Sequence, residues 1–350
     1  GGGGGGGGAL LIPAVSAAFA LGGVLIGLQE EVVGLVPLLL LVARRLGYDA
    51  TTAVAMSLGA AVLGGAFSPV NPFGVGVAQK LAELPLVSGW PLRVAALLAA
   101  LAVWVWGTMR HARRVRTPPA AAAAAPDGAD APAAEAFGAR QAAVLLLLIA
   151  GFAAYVVGAL RYDWGFDELS ALFLLLGILA GLAGGLRVAG TADAFAQGFR
   201  EMAGAALLIG VARAIYVVLD QGQVVDTIVR GLLAPLDGLP PSVSALGMLA
   251  VQTAVHVPVP STSGQAVLTI PIIVPLADLI GLSRQVAVMA YQYGAGLCDL
   301  VTPTNGALMA VLAAAGVRYD EWLRFVVPLF FGALAVGAGA IVVGVALGVR

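Results

Sequence analysis

The feature that most constrains this chain is a long internal repeat. Residues 30–71 and 264–305 align without a gap when the sequence is shifted by 234 positions. Apolar residues would coincide often by chance, but prolines, glycines and asparagines would not. The matched pairs are Pro37 with Pro271, Gly47 with Gly281, Pro69 with Pro303, and Asn71 with Asn305. The chain is therefore predicted to contain two copies of one structural unit.

The composition places this repeat in a membrane. Hydrophobic residues make up 60% of the chain and charged residues 11%, whereas about a quarter charged is usual for a soluble domain. Apolar runs near the bilayer-spanning length of about 20 residues recur along the sequence. We expect a multi-pass protein of the cell inner (plasma) membrane that contacts lipid. The net charge of −1 argues against a nucleic-acid partner, and the single Cys298 argues against a disulfide framework.

Each copy of the repeat predicts the same series of elements. Two short apolar arms flank a tip, which reads "GLQEE" in the first copy and "PSTSG" in the second. A helix interrupted at "SPVNP" or "TPTNG" follows, and then a complete span. The arms are short for full spans, so each pair is predicted to be a re-entrant hairpin. The predicted fold is an all-α polytopic membrane protein with inverted repeats, two re-entrant hairpins and two broken transmembrane helices.

The repeat also predicts how the chain is divided. Residues 1–109 form the first inverted repeat, 110–139 a cytoplasmic disordered linker, and 140–350 the second inverted repeat. Because the second copy has extra spans before its hairpin, an odd number of spans separates the two hairpins, and the second copy is inverted in the membrane. Most arginines then lie on the side of the membrane where the linker lies. Only glycines precede the first hairpin, so we expect about 95 further N-terminal residues in a complete first repeat.

Matching broken helices in two repeats are the best sequence indication of a transporter site. Irregular backbone at membrane depth is tolerated where it lines a cavity, and there its free N–H and C=O groups can bind solute or ions. Asn71 and Asn305 are candidates for a Na⁺ site, although either residue could simply cap the half-helix that follows. A pair of ordinary proline kinks is the structural alternative for the breaks themselves.

The tips and breaks supply the other candidate binding residues. Carboxylates at a membrane hairpin tip are costly, so Glu30 and Glu31 are predicted to bind a cationic substrate, a proton or Na⁺ unless the tip lies in water. The second tip is predicted to bind a carboxylate through the start of a helix, or to be a plain turn. His111 and His256 belong to no recognisable constellation. The remaining candidates are Ser68, Pro72, Ser261, Thr262, Ser263, Gly264, Asp299, Thr302, Thr304 and Gly306.

Several stretches resemble a known family. "VNPFGVGVA", "ELSALFLLLGILAGLAGGL", "PSTSGQAVLTIPIIVPLADLIGLSRQVAVMAYQYG" and "PTNGALMAVLAAAGVRYDEWLRFVVPL" are similar to the C4-dicarboxylate anaerobic carrier family, in its YfcC-like branch. The resemblance implies an elevator-type secondary transporter of the ion transporter superfamily, for C4-dicarboxylates or for basic amino acids. The chain departs from the family pattern at Pro69, Ala295 and Asp299, and these departures leave the coupling ion and the substrate charge open.

These observations together predict a carrier and not an enzyme. The sequence has no HExxH or GxSxG motif, so no metalloprotease or serine hydrolase site is expected. The expected substrate is a small carboxylate-bearing solute, with a basic amino acid such as arginine or ornithine favoured by Glu30 and Glu31. A C4-dicarboxylate and a passive channel are the alternatives. No cofactor is expected apart from Na⁺ or H⁺ as coupling ion, and a homodimer is kept open.

Overall fold

The computed structural model describes residues 5–116, 138–162, 164, 166–224, 227, 231, 234–236 and 239–349. Within these residues the chain is helical and forms no strand, as the sequence predicted. The disordered linker was predicted over residues 110–139. Its first residues, 110–115, instead form the end of the helix Trp90–Val115, so the predicted disorder does not hold there, and residues 117–137 lie outside the described part. The helices are α1 Gly5–Ile26, α2 Val32–Arg45, α3 Ala50–Val54, α4 Ala60–Ala66, α5 Val77–Leu81, α6 Trp90–Val115, α7 Ala139–Arg161, α8 Phe166–Ala183, α9 Arg187–Gln221, α10 Pro241–His256, α11 Thr262–Leu279, α12 Arg284–Cys298, α13 Gly306–Ala315 and α14 Tyr319–Leu347.

Two π turns modify the first repeat. The turn Ala55–Gly59 joins α3 to α4 into one helix, and the turn Pro72–Gly76 begins the half-helix that α5 completes. In the second repeat the same two positions are regular α-helix, in α12 and α13. The first repeat is therefore the less regular copy. Single π turns inside helices occur frequently at functional sites.

Helix boundaries confirm the internal repeat. The broken helix begins at Ala50 in the first copy and Arg284 in the second, 234 residues apart. The half-helix after the break ends at Leu81 and Ala315, again 234 apart. Gly47 and Gly281 both adopt left-handed backbone, with φ of 76° and 70°, and close the turn after the hairpin. Glycine takes this conformation without a Cβ penalty, which explains why the repeat keeps it there.

Helix packing follows the repeat as well. In the first copy α1 packs on α4, and in the second α10 packs on α12. Between the copies, α2 packs on α13 and α11 packs on α5, while the closing helices α6 and α14 pack on each other. A two-fold axis between the copies explains this pattern. If a hairpin arm of the first copy contacts the half-helix of the second, the equivalent arm of the second copy contacts the half-helix of the first.

Three helices in the described part are long and apolar enough to cross a bilayer, namely α6, α11 and α14. Of these, α11 was expected to be a short hairpin arm that follows the tip "PSTSG". It begins at Thr262 because Ser261 caps it, and its 18 residues make it about 27 Å long. Length therefore does not separate this arm from a full span, and its re-entrant course stays a prediction.

The chain forms two compact units, and their boundaries differ from those of the two repeats and the linker predicted from the sequence. One unit contains residues 1–122 and 205–350, and so both hairpins and both broken helices. The other contains residues 123–204, with α7, α8 and the start of α9. Within this second unit, Gly177 and Gly181 of α8 face Phe195 and Thr191 of α9, and a Cβ on either glycine would lie within 2.7 Å of those side chains.

Candidate functional site

The first break is held together by Ser68 and Asn71, both buried. The Ser68 hydroxyl donates to the carbonyl oxygen of Val24 at 2.7 Å and accepts from the backbone N–H of Asn71 at 2.8 Å. The Asn71 amide donates to the carbonyl oxygen of Gly23 at 2.9 Å, and its Oδ1 accepts from Phe73 and Gly74. These bonds tie the break to the end of α1. Pro72 begins the half-helix, where its missing N–H costs nothing.

The second break uses equivalent contacts with different residues. The Thr304 hydroxyl donates to the carbonyl oxygen of Val257, just after α10, at 2.7 Å and lies 2.8 Å from the hydroxyl of Thr302. The Oδ1 of Asn305 accepts from the backbone N–H of Leu308 at 2.8 Å, so Asn305 caps α13, whose first residue is Gly306. The break is thereby tied to the end of the hairpin arm that precedes it, as in the first copy.

A small cavity lies where the two breaks approach each other. Its volume is about 50 Å³, enough for a few water molecules but not for an amino acid. Residues from both repeats contribute to its wall, so the two breaks share one space. The lining residues are Gly27, Gln29, Ala61, Val62, Gly65, Ala66, Asn71, Gly74, Thr262, Tyr291, Gln292, Gly296 and Asp299.

Asp299 is the one acidic residue in that wall, and it is buried. It lies at the end of α12 and accepts three hydrogen bonds from side chains. The Nδ2 of Asn305 lies 2.5 Å from its Oδ1, and the Nε2 of Gln29 lies 3.1 Å from its Oδ2. The third partner is the Nε2 of His256, 2.7 Å from Oδ1. Gln29 brings the tip of the first hairpin onto the second break.

His256 belongs to this site, although no partner for it could be predicted from the sequence. It is fully buried at the end of α10, between Asp299 and Gln265 of α11. The three residues are far apart in sequence and no local motif joins them. The repeat did contain a signal, because Gly22 and Gly65 stand at the positions equivalent to His256 and Asp299. Polar residues that replace glycines in one copy only are candidates for function.

The acidic residues of the first tip lie away from the cavity wall. Glu30 is exposed and Glu31 partly exposed, and neither lines the cavity. Glu31 accepts a hydrogen bond from the backbone N–H of Gln29 at 3.1 Å, which shapes the tip. Gln29, which the sequence analysis did not single out, is the tip residue that reaches Asp299.

The second tip is the start of α11. Ser261 caps the helix by accepting from the N–H of Gly264 at 3.2 Å, and Ser263 and Gly264 are partly buried in the first turn. Thr262 lines the cavity, and its carbonyl oxygen accepts from the hydroxyl of Tyr291 at 2.5 Å. The positive end of the helix dipole therefore lies at the cavity.

A buried arginine stands behind the first break. Arg93 of α6 is fully buried and hydrogen-bonded to Gln292, and its Nη2 lies 2.8 Å from the Oε1 of Gln285. Gln292 in turn donates to the carbonyl oxygen of Ser68 at 2.7 Å. No carboxylate of the described residues lies within ion-pair distance of Arg93.

The predicted Na⁺ ligands have other tasks in this conformation. The amide oxygens of Asn71 and Asn305 both cap the following half-helix, which was the alternative role. Among the described residues there is also no group of three or more His, Cys, Asp or Glu side chains placed to hold a metal ion. Sodium coupling stays a prediction.

Comparison with known proteins places the chain in a family. The family model described as C4-dicarboxylate anaerobic carrier matches residues 5–346. The chain belongs to this carrier family. It is thus a membrane transporter by family, as the sequence resemblance implied.

Two relatives and one solved structure are similar to nearly the whole of this chain. A protein of Escherichia coli named "Putative basic amino acid antiporter YfcC" is 33% identical over 361 residues, with 97% of this chain and 70% of that protein covered. An uncharacterized protein of Haemophilus influenzae is 32% identical over 347 residues, with 96% and 68% covered. The crystal structure of the YdaH transporter of Alcanivorax borkumensis shares the fold, with a TM-score of 0.54, 18% identity, and 97% of this chain and 78% of that chain covered.

Proposed function

We propose that this carrier is an elevator-type secondary active transporter for a small carboxylate-bearing solute of the basic amino acid class, such as arginine or ornithine. The observation that carries this proposal is Asp299, a buried carboxylate in the wall of the shared cavity. Within the described residues its one ionisable partner at ion-pair distance is His256, so a cationic solute group would find a carboxylate that no arginine or lysine neutralises.

The same wall offers a place for the solute's own carboxylate. The first turn of α11 contributes Thr262 to the cavity wall, and a helix N-terminus attracts anions. The carboxylate of such a solute would lie at the start of α11, and its cationic side chain would lie at Asp299. Because the cavity is smaller than such a solute, the hairpins would have to separate from the breaks for it to enter.

A C4-dicarboxylate is the second candidate, supported by the family description and by Arg93, the buried cation behind Gln292. Its weakness is Asp299, since a second carboxylate about 4 Å away would be repelled by about 4 kcal/mol at an effective dielectric near 20 whenever His256 is not protonated. The name of the E. coli relative favours the basic amino acid.

Uptake into proteoliposomes tests the proposal. Arginine and ornithine should show saturable uptake and counterflow, and succinate and fumarate should neither be carried nor compete. Asp299→Asn should weaken apparent arginine affinity at least tenfold, while the exposed Asp320→Asn serves as the control that leaves it unchanged. Uptake of succinate but not of arginine would show that the protein is a C4-dicarboxylate carrier. Solute flux without counterflow would indicate a channel.

A further inference from the structure

The hydrogen bonds around His256 determine where its protons lie. The Nε2 of Gln265 lies 2.8 Å from the backbone carbonyl oxygen of Gln252 and 2.6 Å from its Oε1, both of which accept. Turning the Gln265 amide over would place oxygen against that carbonyl, so this orientation is fixed. The Oε1 of Gln265 therefore points at the Nδ1 of His256, 2.8 Å away, and Nδ1 must donate.

The other ring nitrogen faces a carboxylate. The Nε2 of His256 lies 2.7 Å from the Oδ1 of Asp299, so a proton must lie between them for the contact to be favourable. Asp299 also accepts from Asn305 and Gln29, which suits a carboxylate anion. The arrangement is thus a doubly protonated imidazole against an ionised carboxylate, neutral as a pair.

We propose that His256 and Asp299 exchange this proton for the cationic group of the solute. When an ammonium or guanidinium group binds at Oδ2 of Asp299, it takes over the neutralisation of the carboxylate. The Nε2 proton of His256 then passes by way of Asp299, which lines the cavity, to water, and the ring stays neutral with its proton on Nδ1. With no proton left between them, Nε2 and Oδ1 move apart. When the cation leaves, Nε2 takes a proton back. One positive charge enters the site as one leaves, which couples the solute to a proton in opposite directions.

The other ionisable side chains around the pair fit this exchange. Those that interact electrostatically with Asp299 are Glu30 of the first tip and Tyr291 and Cys298 of α12. The hydroxyl of Tyr291 is engaged with the carbonyl oxygen of Thr262. None of these three side chains carries a positive charge, so among the described residues the pair itself supplies the cation that the solute replaces.

This inference rests on the proposed function, and histidine NMR separates the two. The chain has two histidines, so His111→Gln leaves His256 as the sole reporter in ¹⁵N-histidine-labelled protein. At pH 7 the solute-free ring should carry protons on both nitrogens, and saturating arginine should convert it to the neutral form with Nδ1 protonated. A neutral ring in the solute-free protein, or a ring that keeps both protons with arginine bound, would overturn the inference. Failure of arginine and ornithine to bind overturns the proposed substrate instead.

Binding affinity gives a second measurement. Arginine affinity of the unmodified chain should increase about tenfold per pH unit over the range in which the solute-free pair holds its proton and the solute-bound pair does not, the slope for one displaced proton. His256→Gln, which can donate an N–H but cannot release it, should remove this slope, while His111→Gln should retain it. A His256→Gln slope equal to that of the unmodified chain would contradict the exchange.

Discussion

Asp49 shows how a single side chain can join two parts of this fold. Its Oδ1 accepts from the backbone N–H of Thr52 at 2.9 Å and so caps α3. Its Oδ2 lies 3.0 Å from the Nε2 of His111, near the end of α6. Burial alone would raise the pKa of Asp49, but the hydrogen bonds from His111 and Thr52 outweigh it and lower the pKa below its ordinary value.

The lowered pKa predicts how stability depends on pH. Because the folded chain favours ionised Asp49, its stabilising effect is complete above the ordinary carboxyl pKa of about 4 and is lost as pH falls through the lower folded value. Asp49→Asn should lower the apparent unfolding temperature in detergent at pH 7 and lower it less at pH 3. His111→Gln should reduce the same pH-dependent difference. An equal loss at both pH values would show that the carboxylate charge has no part in it.

At the site, the sequence predicted some residues and missed others. Asp299, Asn71 and Asn305 were predicted because carboxylates and amides at broken helices are costly without a function. Glu30 and Glu31 were singled out for the same reason, but the structure brings their neighbour Gln29 to Asp299. Which residue of a tip turns inward depends on the backbone of the turn. His256 was missed because its partners lie on two other helices.

Among the helices, equivalent ends are capped in the same way even where the residue type differs. Asp49 accepts from Thr52 and Ser283 accepts from Val286, pairs that are 234 residues apart in the repeat. A cap needs only a side-chain oxygen at the right position, so Asp and Ser can replace each other. Helix starts therefore agree between the two copies, whereas the two π turns of the first copy left no clear sequence signal.

The close approach of α1 and α4 depends on glycine, which has no side chain. A Cβ on Gly64 would lie 2.1 Å from the carbonyl oxygen of Ala20, whereas on the neighbouring Gly65 its nearest contact would be 3.5 Å from that of Gly23. Gly64→Ala should force the helices apart and destabilise the protein by about 1–3 kcal/mol. Thermal unfolding in detergent measures this, with Gly65→Ala as the control. Similar losses in both variants would mean that helix propensity and not close approach sets the effect.

Across the whole molecule, the repeat predicted the element order, but it did not predict which elements pack together in space. Hairpins and broken helices of both copies form one unit, while α7 and α8 belong to another. The division into compact units cuts across the repeats because each copy packs its arms on the other copy's half-helices. Sequence similarity shows what is duplicated, and contacts between the copies decide what forms a unit.

The segment 117–139 gives a prediction at the same scale. It is rich in alanine and proline and has no apolar periodicity, so it offers little surface to bury. Replacing it with a flexible spacer of similar length should leave proteoliposome uptake within a small factor. Control measurements of expression and unfolding temperature would accompany the assay. Loss of uptake with normal expression would assign this segment a role in transport.

The two repeats share a scaffold but not an acid–base pair, since Gly22 and Gly65 occupy in one copy the places of His256 and Asp299 in the other. A carrier whose halves exchange shapes would look alike from either face of the membrane. Its titratable pair would still belong to one half only, and would meet the two compartments through different neighbours. If His256 and Asp299 exchange a proton for the solute as proposed, equal and opposite pH gradients would drive unequal fluxes, although the backbone of the two repeats is nearly symmetric.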